Sequence, residues 1–291
     1  MNSKKIFLLS PVAYKSDKNQ NILLIEKYLI KYQTSDLFVF PELNVIGGLW
    51  KNANDDYKRL AEEVPSGESC KRIVGLAQKY QTTICSGVVE IDKDKNEHFI
   101  THFLCGPNGF IGKQRKLFPN AKKEYSFFSS GNKLALFNLW GYKVAILACA
   151  DILLPEPTIL TGIAGVSLII APTDCFGIDQ QNIVCTLLQA RALDTGAFVI
   201  GAFGHDHDNY QYPDSEVLAT IFCDPNNPKN INLKKRKITK SKVAEVDISL
   251  KNPIFRHLGF EERSKIVLSK DVYSKLDHDN SISFCEGAII E

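Results

Sequence analysis

The chain of 291 residues lacks any stretch that reads as a linker: no Pro-, Gly- or Ser-rich spacer, no repeat of fixed period and no low-complexity tract. That leaves one large domain or two small ones, and 44% hydrophobic residues are enough to bury a sizeable core. Charge of one sign is also missing. A formal net charge of +2 gives no reason to expect nucleic acid or an anionic membrane as a partner. No apolar run is long enough to span a bilayer, so a soluble protein is expected. The amino-terminal apolar run Ile6–Leu9 stops at Ser10-Pro11, too short for a secretory signal and without a small-residue cleavage site, and reads as a first strand. Eight cysteines, at 70, 85, 105, 149, 175, 185, 223 and 285, form no CxxC pair and no zinc-ligand spacing. Scattered in apolar contexts, they suggest reduced thiols in a cytoplasmic protein, although an even count leaves disulfides open. The segment from Gly106 to Lys113 is not a phosphate loop: it has one residue too many between glycines, and Gln114 stands where Ser or Thr would bind magnesium.

What is present is an alternation of strand and helix signals in both halves. Ile22, Ile25, Tyr28, Leu29 and Tyr32 recur at helical spacing between about 19 and 33, with Asp17 or Asn19 as cap. Cys70, Ile73, Val74, Ala77 and Tyr80 mark a second amphipathic helix over 66–80. Leu37–Phe40, Thr82–Ile91, Phe99–Cys105 and Phe110–Leu117 read as strands, the last two joined through Gly106-Pro107-Asn108-Gly109 with its Asn-Gly turn signal. Further on, a hairpin turns at Trp140-Gly141-Tyr142. Helices are expected over 159–164 and from Ile183 to Asp194, and strands over 167–171, 197–202 and 243–247. The pattern predicts an α/β protein of two sheets face to face with helices outside.

Three short stretches invite chemistry. Val144–Ala148 is apolar without helical period, a strand buried on both faces. Cys149 stands at its end, and Asp151, Pro155 and Pro157 then stop the strand and let a helix begin. Unpaired N–H groups at such a turn can favour a thiolate or an oxyanion. Glu42 follows the strand Leu37–Phe40 directly, in Pro41-Glu42-Leu43, and Lys116 ends the basic run Lys113, Arg115, Lys116. Taken singly, each has a plainer explanation: a buried structural thiol, a solvated loop acid and an edge-strand charge. His205-Asp206-His207-Asp208 could place two imidazoles on one face, but no further ligand cluster accompanies it, and a polar turn is the simpler reading. The basic run Lys234–Lys237 reads as a solvated edge.

In this order, Pro41-Glu42-Leu43, Arg115-Lys116 with Pro119, and Cys149-Ala150-Asp151 leading to Pro155-Glu156 resemble the nitrilase or carbon–nitrogen hydrolase family, with its motifs of the type PEL, RKxxxP and CxDxxxPE, the second one residue shorter here. Gly87 after Thr83–Ser86, Ala171-Pro172-Thr173, Arg191–Asp194 and Ala244–Asp247 also fall in family order, so the resemblance runs from about residue 5 to about 260. It implies a four-layer α-β-β-α sandwich over residues 1–265, and a tail over 266–291 that packs on a neighbouring subunit of a homodimer or larger homo-oligomer. It implies catalytic Glu42, Lys116 and Cys149, a supporting Glu124 ahead of Phe127-Phe128 and Gly131, and substrate contacts at Ala150, Pro172 and Thr173. Neither metal nor cofactor is implied. The expected substrate is a small-molecule amide or N-carbamoyl (ureido) compound, with nitriles second. A catalytically silent binding protein on the same fold and a glutamine-fed synthetase are the competing classes. Two departures bear on the pocket: Ala150 and Leu153 stand where the family commonly has an aromatic residue and an arginine, which points to a wider or more apolar site.

Overall fold

The computed structural model describes residues 3–11, 13–48, 54–119, 127–175, 178–205, 220–223, 243–248, 250 and 283–286. Among them, twelve strands form two six-stranded sheets. The first holds β1 (Lys4–Leu9), β2 (Leu37–Val39), β3 (Thr83–Asp92), β4 (Glu97–Gly106), β5 (Gly109–Arg115) and β11 (Val243–Ile248), in the order β11-β1-β2-β3-β4-β5. The second holds β6 (Lys133–Leu139), β7 (Tyr142–Ile146), β8 (Leu168–Cys175), β9 (Phe198–His205), β10 (Thr220–Cys223) and β12 (Ser283–Glu286), in the order β10-β9-β8-β7-β6-β12. In each sheet three neighbours run parallel, β1-β2-β3 and β7-β8-β9; antiparallel pairings add β11, β4 and β5 to the first and β10 and β6 to the second, and β12 lies parallel to β6 at the edge. Ser283–Glu286 joins the second sheet beside β6.

Alternating side chains decide the layers. Ile6, Leu8, Leu37 and Val39 point inward from the first sheet and meet Val144, Ile146, Leu168, Ile170 and Ile200 of the second in one dry interface. The opposite faces bury Phe7, Phe38 and Phe103 under α1 (Lys18–Lys31) and α3 (Glu68–Lys79), and Ala145, Ile169 and Val199 under α4 (Pro155–Ile163) and α5 (Ile178–Thr195). Each helix must sink an apolar stripe, Ile22, Ile25 and Leu29 on α1 and Cys70, Ile73 and Ala77 on α3. At about 2–3 kcal/mol for a large aliphatic side chain fully buried, those stripes dictate which face of a sheet each helix covers. The result is the four-layer α-β-β-α sandwich.

The sequence expectations hold for most elements and slip at their ends, and β10 and β12 answer to no strand expected from the sequence. Asp17 caps α1, its carboxylate accepting from the Gln20 N–H at 3.0 Å. The short helix α2 (Asn54–Leu60) was not anticipated: in seven residues only Tyr57 and Leu60 are buried, too few to show a period. The β4–β5 hairpin turns on Pro107-Asn108 between paired Gly106 and Gly109, so the Asn-Gly signal lies one residue off the tip. The β6–β7 turn falls on Trp140-Gly141, with φ of 58° and 81°, both left-handed as a two-residue hairpin turn requires.

Candidate active site

The parallel strands of both sheets end on the same side, and the chemistry-bearing residues follow those ends, as open α/β sheets favour. Glu42 comes three residues after β2. Its turn is held rigidly: the Leu43 carbonyl accepts from the N–H groups of Ile46, Gly47 and Gly48 at 3.0–3.1 Å, and the Asn44 side chain accepts from Ser86 Oγ and the Gly87 N–H. Leu43 takes φ +50° within this turn. Lys116 follows β5, its N–H on the Ile100 carbonyl and its own carbonyl accepting from Gly131, both at 2.8 Å. One residue before Arg115, the buried Gln114 amide donates to the Lys133 carbonyl and accepts from the Ala135 N–H, bracing the first sheet against the second. A second brace, from Ser10 Oγ to the Phe203 carbonyl, joins β9 to the end of β1.

These supports bring Glu42 and Lys116 together. Lys116 Nζ donates to Glu42 Oε1 at 2.8 Å, and both side chains are completely buried. Glu42 Oε2 is equally buried and has no hydrogen-bond partner among the described residues. An ion pair so sealed is unusual as a stabilising device, because removing two charges from water costs about as much as their attraction returns.

Cys149 begins a 3-10 turn, Cys149–Ile152, that joins β7 to α4. The strand itself ends at Ile146, three residues before the expected junction. Cys149 is nearly buried and has φ +46°, a left-handed backbone that costs a non-glycine residue about 1–3 kcal/mol and concentrates at functional sites. Its thiol donates toward the Asp174 carbonyl at 3.7 Å. Asp151, two residues on, ties the turn to Lys116's neighbours: one carboxylate oxygen accepts from the N–H groups of Leu117 and Phe118 at 3.0 and 2.9 Å, the other from Ala148 at 3.2 Å. Burial raises the Asp151 carboxyl to about 7, against the opposing pull of the Lys116 charge and these three N–H groups.

The other sequence candidates fall as follows. Ala150 is buried in the same turn, and Pro172 and Thr173 lie on β8 directly before Asp174. The Thr173 hydroxyl is spent on the Ala171 carbonyl at 3.2 Å. Glu124, Asp206, His207, Asp208 and the Lys234–Lys237 run lie outside the described residues, and His205 ends β9. No group of three or more potential metal ligands occurs among the described residues. No described helix is long and apolar enough to cross a membrane.

Sequence reasoning passed over three buried polar residues. Asp151 lies inside the CxDxxxPE stretch, where sequence alone marks it only as a strand breaker. Asp174 is one residue beyond Ala171-Pro172-Thr173 and 1% exposed. His102, on β4 across from Gly87, is fully buried with neither ring nitrogen hydrogen-bonded among the described residues; burial, then the Lys116 charge, lowers it to about 3. Only an unexpected polar residue inside an apolar strand hinted at the last two. Size does not pick out the site either. A groove of about 810 Å³ lined by Asp36, Asn108 and Trp140 opens at the opposite end, before β2 and β3 begin, whereas the space beside Glu42 and Asp174 admits about one water.

Comparisons with known proteins bear on the fold and the family. The family model described as carbon-nitrogen hydrolase matches residues 6–214. A nitrilase of Pyrococcus abyssi is 28% identical over 169 residues, 57% of this chain and 62% of that protein, so the match spans less than two thirds of that relative's length. A hydrolase of Pseudomonas protegens, from the region 5′ of pqqF, is 26% identical over 202 residues, 68% of this chain and 70% of the other. The solved structure of Saccharomyces cerevisiae Nit3, of branch 10 of the nitrilase superfamily, superposes with a TM-score of 0.68 at 19% identity, covering 92% of this chain and 96% of that one. An amidase from Nesterenkonia sp. gives a TM-score of 0.68 at 16% identity over 91% and 97% of the two chains. A variant of that amidase carries the acetamide moiety of fluoroacetamide covalently on its active-site cysteine. The matched span covers more than half the sequence and contains every element that positions Glu42, Lys116 and Cys149: the chain belongs to the carbon-nitrogen hydrolase family.

Proposed function

We propose that the protein is a thiol hydrolase that cleaves the C–N bond of a small linear amide or N-carbamoyl compound through a thioester on Cys149. The observation that carries this reading is the sealed Glu42–Lys116 pair at 2.8 Å, tethered by Asp151 to the strained turn that presents the thiol. An amide carbon is a poor electrophile, so its attack needs a strong nucleophile, a proton carrier and positive charge where the carbonyl oxygen becomes an oxyanion. Cys149 supplies the sulfur. Glu42 takes the thiol proton and hands it to the departing nitrogen, which leaves as ammonia or an amine. Lys116, with backbone N–H groups after Cys149, donates to the oxyanion. Loss of one such donor costs on the order of 10²- to 10³-fold in turnover, so Lys116 is indispensable without being the nucleophile. Water then cleaves the thioester, with Glu42 as base. The two half-reactions balance with water as the only co-reactant.

The test is ammonia release across a panel of linear amides, ureido acids and nitriles, run beside Cys149→Ala. Turnover of amides or ureido acids by the wild type, and none by a folded Cys149→Ala, is the expected result. Wild-type turnover in Cys149→Ala would remove the nucleophile from this scheme. A folded wild type that forms no thioester with any member of the panel would point to a binding module.

A further inference from the structure

The Glu42 carboxylate divides its two oxygens unequally. Oε1 holds Lys116, while Oε2 is buried and meets no hydrogen-bond donor among the described residues. A buried acceptor left bare costs about 1–3 kcal/mol, so a donor that is not part of the described chain would be held there favourably. Glu42 also lines a small space, together with Asn44, Gly48, Asp174 and Gly204, ≈ 10 Å³ open to a water's centre, about the least that admits one molecule. Asp174 is 1% exposed and lines the same space. Two glycines keep it open: a Cβ at Gly48 or at Gly204 would come within 2.9 Å of an Asp174 carboxylate oxygen, and Gly48 has φ +92°, where a side chain is strained as well. The Asp174 carbonyl also receives the Cys149 thiol at 3.7 Å, so this space and the sulfur share a residue.

We propose that the pocket between Glu42 and Asp174 holds the water that hydrolyses the Cys149 thioester, with Asp174 as its second anchor. This rests on the thioester reading above. A water has two hydrogens. With one donated to Glu42 Oε2 and the other to the Asp174 carboxylate, its lone pairs are the only groups left to turn toward a carbon held on the sulfur. In the step itself the water oxygen bonds to the thioester carbon while Glu42 takes one of its protons. The C–S bond of the resulting oxyanion then breaks, and the leaving thiolate recovers the proton from Glu42, giving a carboxylic acid and free Cys149. Asp174 changes neither charge nor bonding; it fixes where the water stands. Acylation needs no water in this place, so the two halves of the reaction should separate when Asp174 is altered.

The experiment uses the full chain with p-nitrophenyl acetate as probe, since nitrophenolate release reads acylation as a burst and deacylation as the following steady rate; Cys149→Ala is the control. Asp174→Asn keeps the shape of the side chain, and Asp174→Ala removes the anchor. Misplacing a reacting group by about 1 Å costs on the order of 100-fold. The expected result is therefore a burst equal to wild type in rate and size, followed by a steady rate lowered by about 10- to 100-fold. kcat and KM should fall together, and an acetyl group should accumulate on Cys149 by intact-mass measurement. Should Asp174→Ala fail to fold, Asp174→Asn carries the test. Both rates falling alike in Asp174→Asn, or neither falling, would overturn the water site while leaving the thioester reading in place. A wild type with no Cys149-dependent burst would overturn both.

Discussion

Replacing Lys116 with methionine should separate what the Glu42–Lys116 pair does for stability from what it does for chemistry. At 2.8 Å and an effective dielectric of about 20, the two charges attract by about 6 kcal/mol, which roughly offsets the several kcal/mol each lost on leaving water. The intact pair is then close to neutral for stability, but the single variant leaves a carboxylate sealed away with no cation. Its escape is to take up a proton. For an ordinary carboxyl that costs about 1.4 kcal/mol for each pH unit above roughly 4.3, or about 4 kcal/mol at pH 7, and this sets a ceiling on the damage. The sign follows from proton counting: the native variant holds a proton that its unfolded chain has released, so stability falls as pH rises. Urea unfolding of Lys116→Met should therefore show a loss of about 3–4 kcal/mol at pH 7, shrinking to about 1 kcal/mol at pH 5, with an unchanged m-value. The double variant Glu42→Gln/Lys116→Met should recover most of the loss at pH 7, and neither should turn over substrate. A Lys116→Met protein within 1 kcal/mol of wild type at pH 7, or a deficit that ignores pH, would refute the reasoning.

Other outcomes follow from the same geometry. Iodoacetamide at neutral pH should label Cys149 well ahead of Cys70, Cys85 and Cys105, because burial pushes Cys105 up to about 12 and the other two further still; peptide mapping of a native sample checks this, and prior labelling of Cys85 would contradict it. Asp151→Ala strands the N–H groups of Leu117, Phe118 and Ala148, so unfolding free energy should drop by about 2–4 kcal/mol, and kcat should fall as the Cys149 turn loses its tether; thermal melts alongside turnover measure both. His102, lowered from 6.5 to about 3 by burial and the Lys116 charge, is neutral when folded and charged when unfolded across that interval. The protein should therefore lose up to about 4–5 kcal/mol as pH falls from 6.5 toward 3, and His102→Leu should flatten that limb in urea midpoints compared at pH 7 and pH 4. Identical pH dependence in the two proteins would exclude His102 as the source.

The amino-acid sequence by itself determined most of the elements and the two-sheet architecture, and its family motifs singled out the three residues of the proposed triad. Those signals are local: a stripe at helical spacing such as Ile22, Ile25 and Leu29, an apolar run such as Val144–Ala148, or a motif whose members stand within a few residues of one another. Helix α2 escaped because its seven residues bury only two side chains, and Asn-Gly marks the neighbourhood of the β4–β5 turn without fixing that it closes on Pro107-Asn108. What no local signal contains is which groups meet. Glu42 and Lys116 stand 74 positions apart and touch only because β2 and β5 end on the same side of one sheet, at heights set by the pairing registers between them. The left-handed backbone of Cys149, the hold of Asp151 on Leu117 and Phe118, and the small space between Glu42 and Asp174 likewise exist only once the two sheets are stacked and braced. The physical reason is range: backbone propensity and hydrophobic period act over a few residues, whereas desolvating a carboxylate, pairing it with an ammonium and reserving room for one water depend on segments that the chain brings together from far apart.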